Sequence, residues 1–195
     1  MSSLRGRPRS GEVDVAVADA VHHLLVDKGY QALSIEQVAH VAKVGKAAIY
    51  RRWASKAEMV FALVVHDEEI EPAADQETLT GDLHLLAERV VAILSAPAAR
   101  HALPGLLADL HRDPLLAERF QASFIGAERR LVASLLERAA GRGELADAPD
   151  PADVHAQLLG TAFAWIFLVA EEPPPDLADR LTSAALVSLR KGEAR

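Results

Sequence analysis

Between Lys46 and Lys56 the chain places Lys46, Arg51, Arg52 and Lys56 around two aromatic residues, Tyr50 and Trp53. Lysine and arginine N–H groups donate to phosphate oxygens or to O6 and N7 of guanine, so this segment has the chemistry to hold a nucleic acid. The residue types leave open which of those partners Lys46 and Arg51 take. The same cations also suit a solvated helix face, with Tyr50 and Trp53 turned into a core. An N-terminal run, Arg5-Gly6-Arg7-Pro8-Arg9, adds a basic arm. Such an arm can enter a minor groove, touch phosphate or act as a solubilising tail. Catalytic chemistry finds less support. No G-x-S-x-G elbow, phosphate loop or dinucleotide fingerprint occurs. Among eight histidines none stands in an H-E-x-x-H. His22 and His23 are adjacent and point about 100° apart on a helix, a poor arrangement for one ion. With no cysteine, disulfides and thiolate sites are excluded. The expectation is a non-enzyme with no metal and no cofactor.

The cations need elements to aim them. Ser34 with Gln37 three residues later has the spacing of a capping box, which predicts a helix start. Ile35, Val38, Ala39 and Ala42 then follow helical spacing, the pattern breaks at Lys43-Val44-Gly45, and Ile49, Tyr50 and Trp53 open a new stripe. Ser55 and Glu58 repeat the capping signal. Short helix, tight turn and short basic helix is the plan of a helix-turn-helix, whose second helix enters the major groove. Ahead of it, Val13, Val17, Val21 and Leu24 predict a bracing helix over about 11–28, with Gly29 just past its end. Residues 71–81 read as a linker. Helices then follow over about 83–94, 99–111, 113–140, 152–170 and 176–189, divided by Pro97, Asp113-Pro114, Gly141-Arg142-Gly143, Asp150-Pro151 and Pro173-Pro174-Pro175. The fold class is all-α. An N-terminal head over residues 1–54 precedes a larger helical domain over 55–195.

Half of the residues are hydrophobic and a quarter are charged, ordinary for a soluble globular chain. No signal peptide is apparent and no apolar run approaches the roughly 20 residues that span a bilayer, so the expected location is cytoplasmic. The net charge of −7 divides unevenly. Residues 1–56 carry nine Lys/Arg against five Asp/Glu, a balance of +4, and the remainder carries twelve against twenty-three, a balance of −11. Phosphate would draw the head and repel the rest.

The run Val44-Gly45-Lys46, Ile49-Tyr50-Arg51-Arg52-Trp53 and Ser55-Lys56 resembles the DNA-binding signature of tetracycline-repressor-like (TetR-family) regulators. Gly6-Arg7-Pro8-Arg9 and Asp27-Lys28-Gly29-Tyr30 resemble the same family. The motif covers roughly residues 5–65. The resemblance implies nine helices, three in the head, and a homodimer that binds a double-stranded DNA operator. It places Tyr50 at a backbone-contacting tyrosine and Lys56 at a phosphate-binding lysine. The candidate DNA-binding residues are Arg7, Arg9, Ser34, Lys46, Ala47, Tyr50, Arg51 and Lys56. Two positions depart from the family pattern. Lys43 stands where the family commonly has glycine, so a lysine takes a left-handed conformation at roughly 1 kcal/mol. Ala48 replaces the usual threonine and its hydroxyl.

The family also implies a small-molecule ligand among the later helices that releases the operator. Phe120, Phe124, Phe163, Trp165 and Phe167 are the candidate ligand-binding residues, and the same aromatics equally suit a core or a dimer interface. Arg129 and Arg130 suit an anionic ligand or surface ion pairs. The last two helices carry more apolar surface than one core face needs, which predicts a four-helix dimer contact. The leading expectation is a ligand-released repressor. The alternatives are an activator without a ligand, and a helical enzyme or carrier with no role at DNA.

Overall fold

The computed structural model describes residues 9–65, 75–146, 149–169 and 172–192, except for the side chains of 9, 10 and 190–192. Helices α1 (Arg9–Ala32), α2 (Ile35–Val41), α3 (Lys46–Tyr50), α4 (Lys56–Val64), α5 (Leu79–Ser95) and α6 (Pro97–Arg112) follow in order. After them come α7 (Pro114–Phe120), α8 (Gly126–Gly141), α9 (Pro151–Ala164) and α10 (Leu177–Gly192). One π-helical turn, Gln121–Ile125, joins α7 to α8, and a second, Trp165–Val169, extends α9. The ten α segments therefore form nine rods among the described residues, and no strand. The described residues fall into two compact units, one of those up to 65 with 97–116, the other of those in 75–96 with those from 117 onward.

The first unit holds α1, α2, α3, α4 and α6. Its core is built by Val17, Val21 and Leu25 of α1, Ile49 of α3, Met59 and Val60 of α4 and Leu106 of α6, all but fully buried. Helix α1 breaks at Gly29, whose φ of 73° is one that a side chain rarely adopts. The break turns Tyr30 into the core, where it is 2% exposed. Its hydroxyl donates to Asp109 of α6 at 2.6 Å. Gly105 sits against the same ring, so closely that a Cβ there would lie 2.4 Å from Tyr30 Cδ1. Lys56, at the start of α4, donates to the Tyr30 carbonyl at 3.1 Å and lays its ammonium over the ring, 4.1 Å from the centroid. Tyr30 thus pins three helices together. Burial, first, and then its bond to Asp109 push its hydroxyl pKa well above the usual tyrosine value.

The second unit packs α5, α8, α9 and α10. Thr78 caps α5 through Gly81 N at 3.1 Å, so Thr80 and Gly81 belong to the first turn of a helix and not to a linker. Residues 71–74, the first part of that linker, lie outside the described residues. Asp82, 1% exposed, is compensated by Arg142 at 3.1 Å, by Arg138 at 3.5 Å and by the Gln76 N–H at 3.0 Å. Arg142 also reaches Glu144 at 2.6 Å, and Glu144 accepts from Leu79 N at 2.8 Å. That backbone bond, and then Arg142, hold the Glu144 carboxyl below its ordinary range. The Gly141-Arg142-Gly143 turn therefore does more than interrupt a helix: it fastens the end of α8 to the start of α5. Asp113 and Asp150 cap as their Asp-Pro sequences predict, through Leu115 N at 3.0 Å and Ala152 N at 2.8 Å.

Pro151–Val169 is 19 residues long and, by length and composition alone, apolar enough to cross a membrane, contrary to the expectation from sequence. It also carries the buried His155, bonded to Glu128 of α8 at 2.8 Å. Only 28% of its most apolar window is buried within the chain, and Leu168 and Val169 are 75% and 62% exposed. Leu158, Ala162 and Ile166 point into the unit's own core.

Candidate nucleic-acid interface

Helix α2 begins at Ser34, whose Oγ accepts from Gln37 N at 3.3 Å while Gln37 Oε1 accepts from Ser34 N at 3.0 Å. The full capping box fixes the first turn of α2 and buries Ile35, Val38 and Ala39. At the other end Lys43 takes φ 55°, the left-handed conformation its replacement of glycine requires. Val44 N then reaches Ala39 O at 3.0 Å and Lys43 N reaches His40 O at 3.3 Å. This pair of bonds is a Schellman motif, and it reverses the chain tightly enough for α3 to start at Lys46.

Helix α3 is one short piece whose position comes from its anchors. Ile49 is completely buried and Trp53, just beyond, is 6% exposed. Lys46, Ala47, Tyr50 and Arg51 are all exposed, at positions i, i+1, i+4 and i+5, which is one face of a helix. Tyr50 keeps 52% of its surface free, so it does not pack inward with Ile49 and Trp53 as its place in the apolar stripe predicts. Arg52 lies outside this face: it donates to Ala48 O at 3.1 Å and pairs with Asp14 of α1.

The expected cations therefore separate. Lys46 and Arg51 stand with Tyr50 and Ala47 on the outer face, and Ser34 caps the helix before them. Lys56 has its ammonium on Tyr30, at the kinked end of α1. Arg7 lies outside the described residues, and for Arg9 only the backbone is described, as the first residue of α1. Sequence reasoning missed Glu36. From the first turn of α2 it reaches across the turn to Lys46 Nζ at 3.1 Å, with both side chains more than half exposed. Its carboxyl is held below its ordinary range, by its own backbone N–H first and then by Lys46. Ten residues separate the two, so neither helical nor capping spacing links them.

The five candidate ligand-binding aromatics all lie in the second unit, in or beside its two π-helical turns. Phe120 and Phe124 tilt against each other with centroids 5.8 Å apart. Phe163 and Phe167 stack at 4.6 Å, as their spacing of four predicts. Trp165 faces the guanidinium of Arg180 at 5.6 Å from the ring centroid. Arg129 and Arg130 are exposed.

Residues 18–63 match the family model described as bacterial regulatory proteins, tetR family, and residues 73–185 match the tetracyclin repressor-like C-terminal domain. The chain is 28% identical to the HTH-type transcriptional regulator YdeS of Bacillus subtilis, over 88% of its own length and 87% of the relative's. It is 33% identical to a protein of Mycobacteroides abscessus named as the DNA-binding transcriptional repressor TetR, over 80% and 77% of the two chains. The crystal structure of a TetR family transcription regulator superposes with a TM-score of 0.68 at 25% identity, covering 92% of this chain and 97% of that one. A helix-turn-helix head with an exposed basic face, helices throughout and a match along most of the chain agree: the chain belongs to the tetR family of bacterial regulatory proteins, DNA-binding transcriptional regulators rather than enzymes.

Proposed function

We propose that the protein is a cytoplasmic repressor that binds a double-stranded operator as a homodimer and leaves it when a small molecule binds the second unit. The observation that carries the DNA contact is the exposed face of α3, where Lys46, Ala47, Tyr50 and Arg51 stand together in the stretch 1–56, whose net charge is +4. Tyr50 offers a hydroxyl to phosphate, and Lys46 and Arg51 offer N–H donors to phosphate or base edges. Ser34 sets the start of α2, the helix end whose dipole favours phosphate. Arg7, ahead of α1, and Arg9, at its first position, supply the basic N-terminal contact. Lys56 acts at the backbone through the ammonium donors that Tyr30 leaves free. Repression is favoured by the relative named as a repressor.

Dimerisation is supported by exposed apolar residues of the second unit, Leu168 and Val169 in the last turn after α9 and Val187 on α10. Two heads reading half-sites must keep a spacing near one helical turn, about 34 Å, and a ligand that alters it releases the operator. The Phe120–Phe124 and Phe163–Phe167 pairs with Trp165 form the proposed ligand-binding set. π-helical turns recur at functional sites, which supports placing the ligand there.

A fluorescence-anisotropy titration of genomic fragments at several salt concentrations tests the DNA reading. Sequence-specific binding that weakens steeply with salt is expected. Binding that ignores both sequence and salt would sink it. Repeating the titration with candidate ligands tests release, since linkage requires DNA to weaken ligand binding by the same factor.

A further inference from the structure

We propose that Glu36 and Lys46 read one G·C base pair in each half-site as a single unit, the ammonium donating to guanine and the carboxylate accepting from cytosine N4. This rests on the reading of α3 as the recognition helix and names a residue on α2 as part of its specificity. Lys46 Nζ and Glu36 Oε1 lie 3.1 Å apart, one a donor only and the other an acceptor only. In the major groove a G·C pair presents guanine O6, an acceptor, beside cytosine N4, a donor, and the hydrogen bond between them holds the two at about 2.9 Å. The protein pair thus carries the complementary pattern at nearly the same spacing.

Exposure fits the role. Side-chain exposure is 55% for Lys46 and 61% for Glu36, so neither is committed to the core. Both spring from rigidly set turns: Glu36 follows the capping box at Ser34, and Lys46 follows the Schellman turn at Lys43. The ion pair in turn restrains a lysine that would otherwise sample many rotamers. Lysine alone would donate to phosphate and guanine alike. A carboxylate 3.1 Å away repels phosphate oxygens, so the pair favours a base edge that offers it a proton. In this role Glu36 positions Lys46 as well as recognising cytosine.

The test uses the full chain. A randomised duplex library is selected with the wild-type protein, and the selected operator and its single base-pair variants are then titrated against Glu36→Ala, Glu36→Gln, Lys46→Ala and the Glu36→Ala/Lys46→Ala double variant. The wild type should discriminate roughly tenfold or more against replacing one particular G·C pair per half-site. Glu36→Ala should lose that preference, and Glu36→Gln should recover part of it, because an amide oxygen still accepts from cytosine. Lys46→Ala should lose preference at the same base pair, with little further loss in the double variant. Both side chains are exposed, and matching thermal transitions would show that the variants fold. If Glu36→Ala binds every sequence more tightly by the same factor and keeps all preferences, the carboxylate only repels DNA and the proposal is overturned. Loss of preference at different base pairs in the two single variants also overturns it, while leaving the recognition helix in place. If the wild type selects no sequence at all, the DNA reading fails first and this proposal falls with it.

Discussion

Tyr30 meets Asp109 through its hydroxyl, Lys56 through its carbonyl and ring, and Gly105 through the ring edge. Burial and the Asp109 carboxylate raise its folded pKa above the ordinary 10.0. The neutral hydroxyl is therefore favoured in the fold, and the stability it contributes is complete below pH 10.0. Above that the unfolded chain releases this proton first, so stability falls as pH climbs toward the folded value. Urea midpoints taken on either side of pH 10.0 should show this decline in the wild type and a smaller one in Tyr30→Phe. The same variant should lose about 1.5–3 kcal/mol at neutral pH, the worth of a hydrogen bond to a charged acceptor. Equal slopes would show that Tyr30 is not the titrating group. Lys56→Ala removes both the carbonyl bond and the cation–π contact, for an expected loss of about 1–3 kcal/mol in denaturant. If Lys56 also touches phosphate, the salt dependence of operator binding should drop by about one unit in that variant. An unchanged slope would leave it a purely structural lysine.

Helices were readable in the sequence wherever a cap or a breaker is local. Ser34, Asp113 and Asp150 each accept the backbone N–H that their spacing predicts, and Gly29 and Lys43 adopt the positive φ that their positions require. At Ser55 the side chain caps Glu58 N as expected, but Glu58 returns its bond to Ala54 N instead of Ser55 N. What the sequence hid is long-range. Lys56 to Tyr30, Tyr30 to Asp109 and Arg142 to Asp82 join residues far apart along the chain, where no periodicity operates. The π-helical turns were also invisible, since the apolar stripe continues through them. Gly105 shows where intuition from propensity fails. Alanine is normally worth about 1 kcal/mol more than glycine inside a helix. Here its Cβ would press on a ring held by Asp109 and Lys56, and such overpacking costs about 1–3 kcal/mol. The clash should win, so a thermal melt of Gly105→Ala should show a lower transition temperature. A rise would mean that the ring can slide aside.

At the scale of the molecule, the apolar residues of Pro151–Val169 divide between two duties. Ala162 is fully buried within its own unit, so a charge there would damage the protomer before it tested any association. Leu168 is the cleaner probe. In the proposed homodimer, Leu168→Glu should give a folded monomer in sedimentation and weaken operator binding, since only one head would then dock at a time; a variant that remains dimeric would place the interface elsewhere. The interleaving of the two units has a different kind of consequence, one of timing. Residues 97–116 belong with the head, and they follow a segment that belongs to the other unit. As the chain leaves the ribosome, the helix-turn-helix is exported long before Gly105 and Asp109 arrive to close over Tyr30. At about 5–20 residues per second the first four helices wait roughly 2–10 seconds for α6. Throughout that interval the nascent head shows a bare apolar flank, an opening for chaperones and proteases that a head encoded in one stretch would not present.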